Sequence, residues 1–328
     1  MDNDFFITVE GFENERLANE LGNSCMDMVR ALDSRYSSLN ISKLKRIVIT
    51  VNFANSLSSV CSSYGHQSES AFTNSEQAIA VGQLVSKLGS DGEYEEFTLV
   101  LGWDFFGELF VQNGNGEIEV ELNGDETRTI LQRLLHELFH VHEKNTLNLV
   151  PASMMVDGYA NAILMIAVRG WSEYFANYMS SFFALDCAIE STFLTLRNVL
   201  TEVPQEITEL VNQYKSRLIS IEDMFASVRE RLGLIVNSYA YAKGFIDSLA
   251  LEVETFDVEL YEVMSASPLY EVLVELGEQF YEFLDAYNSS SLTSVHDYDG
   301  IGFALKDLYR VFSLDVTRMG DGVYVSVH

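Results

Sequence analysis

Apolar positions recur with helical spacing along most of this chain. In residues 13–33, Leu17, Leu21, Met28 and Leu32 fall on one face, which predicts an amphipathic helix. Beyond Pro151 the same spacing dominates. It predicts helices at 158–168, 171–187, 189–201, 205–231, 234–251, 258–285 and 301–313.

Glycine, proline and polar runs should punctuate these helices. Gly170 is expected to separate the first two, and Pro204 to open the helix at 205, near the first position where proline is tolerated. Residues 286–300 (AYNSSSLTSVHDYDG) are predicted to form a polar loop. The second half of the chain is therefore expected to be α-helical.

The first half adds β patterns to the helical ones. The β-branched run at 46–53 predicts a buried strand. Further strand patterns separated by glycine-rich turns occur at 96–102, 108–112 and 117–122. The serine-rich residues 56–75 are predicted to form a long loop, and 76–88 a helix that Gly89 ends. The fold class expected is α+β, with an N-terminal domain at 1–183 and an α-helical extension at 184–328.

Composition narrows the class of function. Hydrophobic residues make up 48% of 328, which is enough for a packed core and excludes a disordered chain. A net charge of −29 repels phosphate backbones and anionic lipid surfaces, so neither nucleic acid nor a membrane is the expected partner. The sequence does not specify an oligomeric state.

A cytoplasmic location is expected from three features. The N-terminus lacks the basic and apolar regions of a secretion signal. The longest apolar run, 162–168, is far shorter than the roughly 20 residues that cross a bilayer. Three scattered cysteines, Cys25, Cys61 and Cys187, do not form the pattern of a disulfide framework.

The motif His136-Glu-Leu-Phe-His140 carries the clearest chemistry. It lies in a predicted helix at 126–144, for which Asp125 can serve as the N-cap. Histidines at i and i+4 project from one face, so both imidazoles can bind a single tetrahedral Zn²⁺. Glu137 is offset from that face, where it can act as the general base toward a zinc-bound water.

A catalytic zinc site needs a third protein ligand, and Glu173 is the first candidate. It lies in Trp171-Ser-Glu-Tyr-Phe-Ala-Asn177, where a carboxylate among aromatic residues is costly to bury without a cation. Asp157 is the main rival ligand, and Glu190 is a weaker one. His142, Glu143 and Asn177 are candidates for orienting a ligand from behind.

The pair HELFH and WSEYFAN resembles the gluzincin pattern, in which HExxH is followed by a glutamate on a second helix. Its E-x-x-A-N form is most similar to the ImmA/IrrE family of small bacterial and phage-associated metallopeptidases. The resemblance covers about residues 97–183. It implies a zincin-like fold for the N-terminal half, His136, His140 and Glu173 as zinc ligands, and Glu137 as the base.

The predicted function is therefore a zinc-dependent metallopeptidase that hydrolyses a protein or peptide substrate. Donors to the oxyanion of the attacked carbonyl are left open among His66, Tyr239, Tyr241 and His296. The alternative is a phage- or mobile-element-associated regulatory protein that keeps a metal site without proteolysis. The intact Glu137 favours the enzyme, because a purely structural metal site needs no base.

Overall fold

The computed structural model describes residues 5–65, 82–90, 92–122, 124–150, 157–320 and 322–328. It confirms a mixed α+β architecture with a small N-terminal sheet and a mostly helical C-terminal half. The chain forms two compact units: Met1–Asn148 with Met179–Leu185, and Leu149–Tyr178 with Asp186–His328. The functional division into 1–183 and 184–328 stays a prediction.

The first unit contains the sheet and the helix with the HExxH motif. Its described elements are β1 (Phe6–Glu10), α1 (Glu15–Arg35), β2 (Leu44–Thr50), α2 (Phe53–Ser63), β3 (Gly82–Leu88), β4 (Tyr94–Gly102), β5 (Phe110–Gln112), β6 (Ile118–Val120) and α3 (Gly124–Thr146). A 3₁₀ helix, Trp103–Leu109, links β4 to β5. A second 3₁₀ helix, Ser181–Phe183, lies in Met179–Leu185, the later part of the chain that belongs to this unit.

The main sheet has four strands in the order β1-β2-β4-β3. β1 and β2 are parallel, as are β2 and β4, whereas β3 runs antiparallel to β4 at one edge. Parallel strands need a long crossover, and α1 supplies it between β1 and β2. The central strand β2 is buried from Ile47 to Thr50, which the β-branched run predicted.

Two predictions in this unit are wrong within the described residues. Residues 56–63 were expected in a loop but belong to α2, whose Leu57, Val60 and Cys61 pack on apolar residues of the sheet. Three apolar residues at i, i+3 and i+4 suffice to anchor a short helix, even in a serine-rich sequence. The rest of the expected loop, 66–75, lies outside the described residues.

The second error concerns β3, where the sequence predicted the end of a helix. Lys87 of β3 lies opposite Glu96 of β4, and its Nζ is 3.0 Å from the Glu96 carboxylate. The spacing of apolar residues within one segment carries no information about such pairing with another strand, so the sequence did not predict β3. Residues 76–81 lie outside the described part of the chain.

The second unit is helical with a terminal hairpin. Its described elements are α4 (Gly158–Ala162), α5 (Leu164–Ser180, whose last two residues cluster with the first unit), α6 (Asp186–Lys215), α7 (Ile221–Leu249), α8 (Val253–Phe256), α9 (Val258–Ala266), α10 (Tyr270–Asn288), α11 (Asp299–Val311), β7 (Leu314–Met319) and β8 (Gly322–Val327). No described helix is both long and apolar enough to cross a membrane.

Glycine and proline punctuate this unit differently from the prediction. Gly170 lies inside α5, where a Cβ would come within 2.7 Å of Val236, so the glycine permits close helix packing instead of ending a helix. Pro204 lies inside α6 instead of opening a new helix. A regular buried stripe runs through α6 on both sides of that proline, so packing holds the helix together there despite the lost hydrogen bond.

Other helix boundaries differ from the predicted ones because of local backbone conformation. The expected helix 205–231 is divided by a turn at 216–220, in which Arg217 has a positive φ of 60°. The expected helix 258–285 is divided before Pro268, whose preceding residue, Ser267, is extended, as residues before proline prefer. The predicted polar loop 286–300 contains a short 3₁₀ helix, Val295–Tyr298, and the hairpin of β7 and β8 was not predicted.

Candidate metal centre

The HExxH motif lies in α3, a helix with one well-packed face. Ile130, Leu134, Leu135, Leu138 and Phe139 are fully buried. Asp125 and Glu126 occupy the first turn and Lys144 the last, so the end charges match the helix dipole. A helix fixed along its length in this way holds its polar side chains in defined positions.

His136 and His140 converge on one point. Their Nε2 atoms are 3.0 Å apart, and their rings lie nearly perpendicular with centroids 4.7 Å apart. Two nitrogens bound to one tetrahedral ion at about 2.0–2.1 Å are roughly 3.3 Å apart. The observed spacing therefore matches what chelation by two imidazoles requires, within a few tenths of an ångström.

Glu173 completes a group of three potential ligands. One donor atom from each of His136, His140 and Glu173 lies within 4.8 Å of the others. His136 is buried, and His140 and Glu173 are partly buried. Within the described residues this is the only such group of histidine, cysteine and acidic side chains, and it can hold a metal ion.

The local sequence explains how Glu173 is presented. It lies in α5, where Trp171, Tyr174 and Phe175 are fully buried and fix the rotation of the helix. One turn later, the buried Asn177 donates its Nδ2 hydrogen bond to the Tyr241 carbonyl of α7 at 2.9 Å. A Cβ on Gly244 of α7 would come within 2.7 Å of the Tyr174 carbonyl, so that glycine allows α7 to approach α5 closely.

Glu137 is not part of the ligand group. Its side chain is partly buried, and a Cβ at Gly82 would be 2.9 Å from its Oε1 atom. Gly82 begins β3, the edge strand of the sheet. The carboxylate of Glu137 therefore lies against the start of that strand, a relationship that the sequence did not indicate.

His142 of α3 has a different role in the structure from the one that the sequence predicted. His142 is buried, and its Nδ1 atom accepts a hydrogen bond from the backbone N–H of Asn40 at 2.9 Å. Burial lowers the pKa of His142 to about 4, so the ring is neutral near pH 7. The structure thus ties this histidine to the segment after α1, whereas the sequence offered it as an orienting residue for a metal ligand.

Gln132 was missed in the sequence analysis. It lies one turn before His136 on the same side of α3, is buried, and donates from Nε2 to Ser180 Oγ at 3.1 Å. The spacing of residues 132, 136 and 140 at i, i+4 and i+8 was the available signal. This hydrogen bond fixes the turn of α3 that leads into the motif.

The rival ligands have other roles in the structure. Asp157 caps α4 by accepting a hydrogen bond from the Ala160 N–H at 2.7 Å, and it pairs with Arg318 at 3.2 Å. Glu190 is exposed in α6. Neither belongs to the group of described residues that can hold a metal ion.

The candidate oxyanion donors differ in position. Tyr239 is buried in α7, and burial raises the pKa of its hydroxyl strongly. His296 is exposed and lies 3.3 Å from Asp299. Tyr241 is partly buried, and His66 lies outside the described residues.

Comparisons with known proteins add no family to this geometry. No protein-family model matches the chain, and searches of curated proteins and of solved structures found no similar protein. The resemblance to ImmA/IrrE gluzincins therefore stays a prediction from two short motifs.

Proposed function

We propose that this protein is a zinc-dependent metallopeptidase with a zincin-like N-terminal half, of the gluzincin type and similar to the ImmA/IrrE family. The observation that carries the proposal is the convergence of one donor atom each from His136, His140 and Glu173 within 4.8 Å. Two imidazoles and one carboxylate form the ligand set of many catalytic zinc sites. When bound, zinc would supply a Lewis acid and lower the pKa of a coordinated water to about 7.

The residues of the chain have distinct tasks in this proposal. His136, His140 and Glu173 hold the ion. Glu137 takes a proton from the attacking water while the water oxygen bonds to the peptide carbonyl carbon. As the C–N bond breaks, the same carboxyl group gives that proton to the departing amine nitrogen, which leaves Glu137 ionised again.

The position of β3 supports a peptide as the substrate. An edge strand offers backbone N–H and C=O groups to which an extended peptide can add as a further strand. β3 is at the edge of the main sheet, and Gly82 lies against the Glu137 carboxylate. A peptide paired with β3 would therefore run close to the proposed base, and the net charge of −29 would favour basic segments.

A cytoplasmic location belongs to the same proposal. Cys25, Cys61 and Cys187 are all free thiols, and the first two are buried. Such cysteines suit a reducing compartment.

The test combines metal analysis with a cleavage screen. Protein purified without added metal should contain one zinc per chain and should cleave members of a proteome-derived peptide library. Glu137→Gln keeps the shape of the side chain but cannot take up the proton, so at matched zinc content it should lose roughly 10²- to 10⁴-fold in rate. Glu126→Gln, an exposed acid in the first turn of the same helix, is the matched control and should cleave normally.

Two outcomes would reject the proposal. Cleavage at the wild-type rate by Glu137→Gln would show that this residue is not the base. Bound zinc without cleavage of any library peptide would favour the regulatory protein that keeps a metal site without proteolysis.

A further inference from the structure

A cavity lies within the helical unit, and none of the three candidate metal ligands lines it. Its volume is about 370 Å³, which is in the range of small-molecule sites. α4, the start of α5, the 3₁₀ helix before α11, α11 and β7 contribute its lining. The residues used below are Tyr159, Asp299, Gly302, Phe303, Lys306 and Arg318.

The charge of this cavity is opposite to that of the chain. Lys306 and Arg318 line it with a single carboxylate, Asp299, whereas acids outnumber Lys and Arg by 49 to 20 overall. Arg318 is partly compensated by Asp157 at 3.2 Å. Lys306 forms no ion pair with a carboxylate of the described residues, so its charge is available to a ligand.

Aromatic rings hold both cations in place. The Lys306 Nζ atom lies 5.2 Å from the Tyr159 ring centroid and 5.3 Å from that of Phe303. The Arg318 guanidinium lies 5.2 Å from the same Tyr159 ring. These cation–π contacts limit the motion of the cations without neutralising them, so a bound anion would lose little of its binding energy to ordering them.

The cavity also offers an apolar surface. Phe303 is 58% exposed although it is a large hydrophobic residue. Gly302 lets α11 pack closely against Ile163, because a Cβ at position 302 would lie only 3.3 Å from Ile163 Cγ2. A flat apolar group can therefore lie on Phe303 while its charged end reaches Lys306.

We propose that this cavity binds a small organic monoanion, a carboxylate attached to a flat apolar body. The carboxylate would bind Lys306 and Arg318, and the apolar body would lie on Phe303 and Tyr159. A second negative charge on the ligand is disfavoured by Asp157, which pairs with Arg318, and by Asp299, which also lines the cavity. This distinguishes a carboxylate from a dianionic phosphate ester.

The test measures binding of three probes by titration calorimetry and ligand-observed NMR. Phenylacetate carries the proposed chemistry, phenylacetamide is its neutral isostere, and phenyl phosphate is the dianion. Phenylacetate should bind the wild-type protein best. Lys306→Gln should weaken it at least about 10-fold, the size of one charge-assisted hydrogen bond, and Phe303→Ala should weaken it several-fold.

Lys45→Gln removes an exposed lysine of β2 in the other unit, so it is the matched control and should bind phenylacetate like wild type. Thermal melting checks that every variant is folded. Equal binding of phenylacetate and phenylacetamide, unchanged binding by Lys306→Gln, or no binding to the wild type would each overturn the proposal. Tighter binding of phenyl phosphate would overturn the assignment to a monoanion.

Discussion

Helix α3 carries three histidines on two faces, and the two faces differ in the groups that their imidazole nitrogens contact. On one face His136 and His140 direct their Nε2 atoms toward each other at 3.0 Å, near the Glu173 carboxylate. On the other, His142 gives its Nδ1 lone pair to the backbone N–H of Asn40. Two ring nitrogens that face each other beside a carboxylate suit a cation, whereas a ring nitrogen that accepts from a backbone N–H is already used.

The partner of the ring, and not the residue type, distinguishes the candidate metal ligands His136 and His140 from the structural His142. All three rings lie within seven residues of the same helix, HELFHVH, and both His136 and His142 are buried. Burial alone therefore does not distinguish the two faces. The following changes test each face in turn.

The largest expected effect is on metal binding. Glu173→Ala removes one of the three proposed ligands, so zinc affinity should fall by at least about 100-fold, the upper range for losing even an outer partner of a metal site. Competition with a chromophoric chelator measures the affinity. Asp157→Ala is the control, since Asp157 caps α4 and pairs with Arg318, and it should keep wild-type affinity. The reverse pattern would make Asp157 the ligand and end the gluzincin assignment.

A smaller effect is expected from moving the proposed base without removing it. The Cβ of Gly82→Ala would lie 2.9 Å from Glu137 Oε1, so the carboxylate must shift by a few tenths of an ångström. We expect peptide cleavage to fall by up to about 10-fold, because a misplacement of about 1 Å costs roughly 100-fold and this shift is smaller. Kinetics at matched zinc content measure the change. Gly22→Ala, which meets only Val9 at 3.2 Å, is the control; equal rates for both variants would show that β3 does not position Glu137.

The smallest effect concerns the second face. His142→Phe keeps a ring of similar size but removes the acceptor for the Asn40 N–H, so the free energy of unfolding should fall by about 1–3 kcal/mol. Urea denaturation measures it, and zinc content should stay at the wild-type level. His296→Phe changes an exposed ring and should leave stability unaltered. Loss of zinc from His142→Phe would show that His142 also supports the metal site, and the two faces of α3 would then not have separate roles.

The sequence predicted α3 and its histidine pair because both depend on local geometry. Spacing of i and i+4 on a helix with a continuous apolar stripe brings His136 and His140 together whatever the rest of the fold does. Glu173 was found by chemistry, since its carboxylate stands among aromatic residues. The structure brings the three together, while their roles in catalysis stay predictions.

What the sequence did not indicate depends on partners distant in the chain. The strand β3 pairs with β4, and Gly170 lies inside α5 at a point where Val236 of α7 approaches closely. The contact of Gly82 with Glu137 joins residues 55 positions apart. No local spacing encodes such contacts, so the surroundings of the proposed base could not be anticipated.

The first compact unit consists of two separate segments of the chain, and this affects the order in which it can fold during synthesis. It includes residues Met179–Leu185, where Ser180 accepts from Gln132 and the Phe183 and Ala184 carbonyls accept from Arg128. A ribosome must therefore add the intervening residues Leu149–Tyr178 before α3 can make these bonds, a delay of roughly 2–6 s at about 5–20 residues per second. During that interval the Gln132 and Arg128 side chains lack these acceptors, so the N-terminal turns of α3 reach their final contacts only after most of α5 has been synthesised.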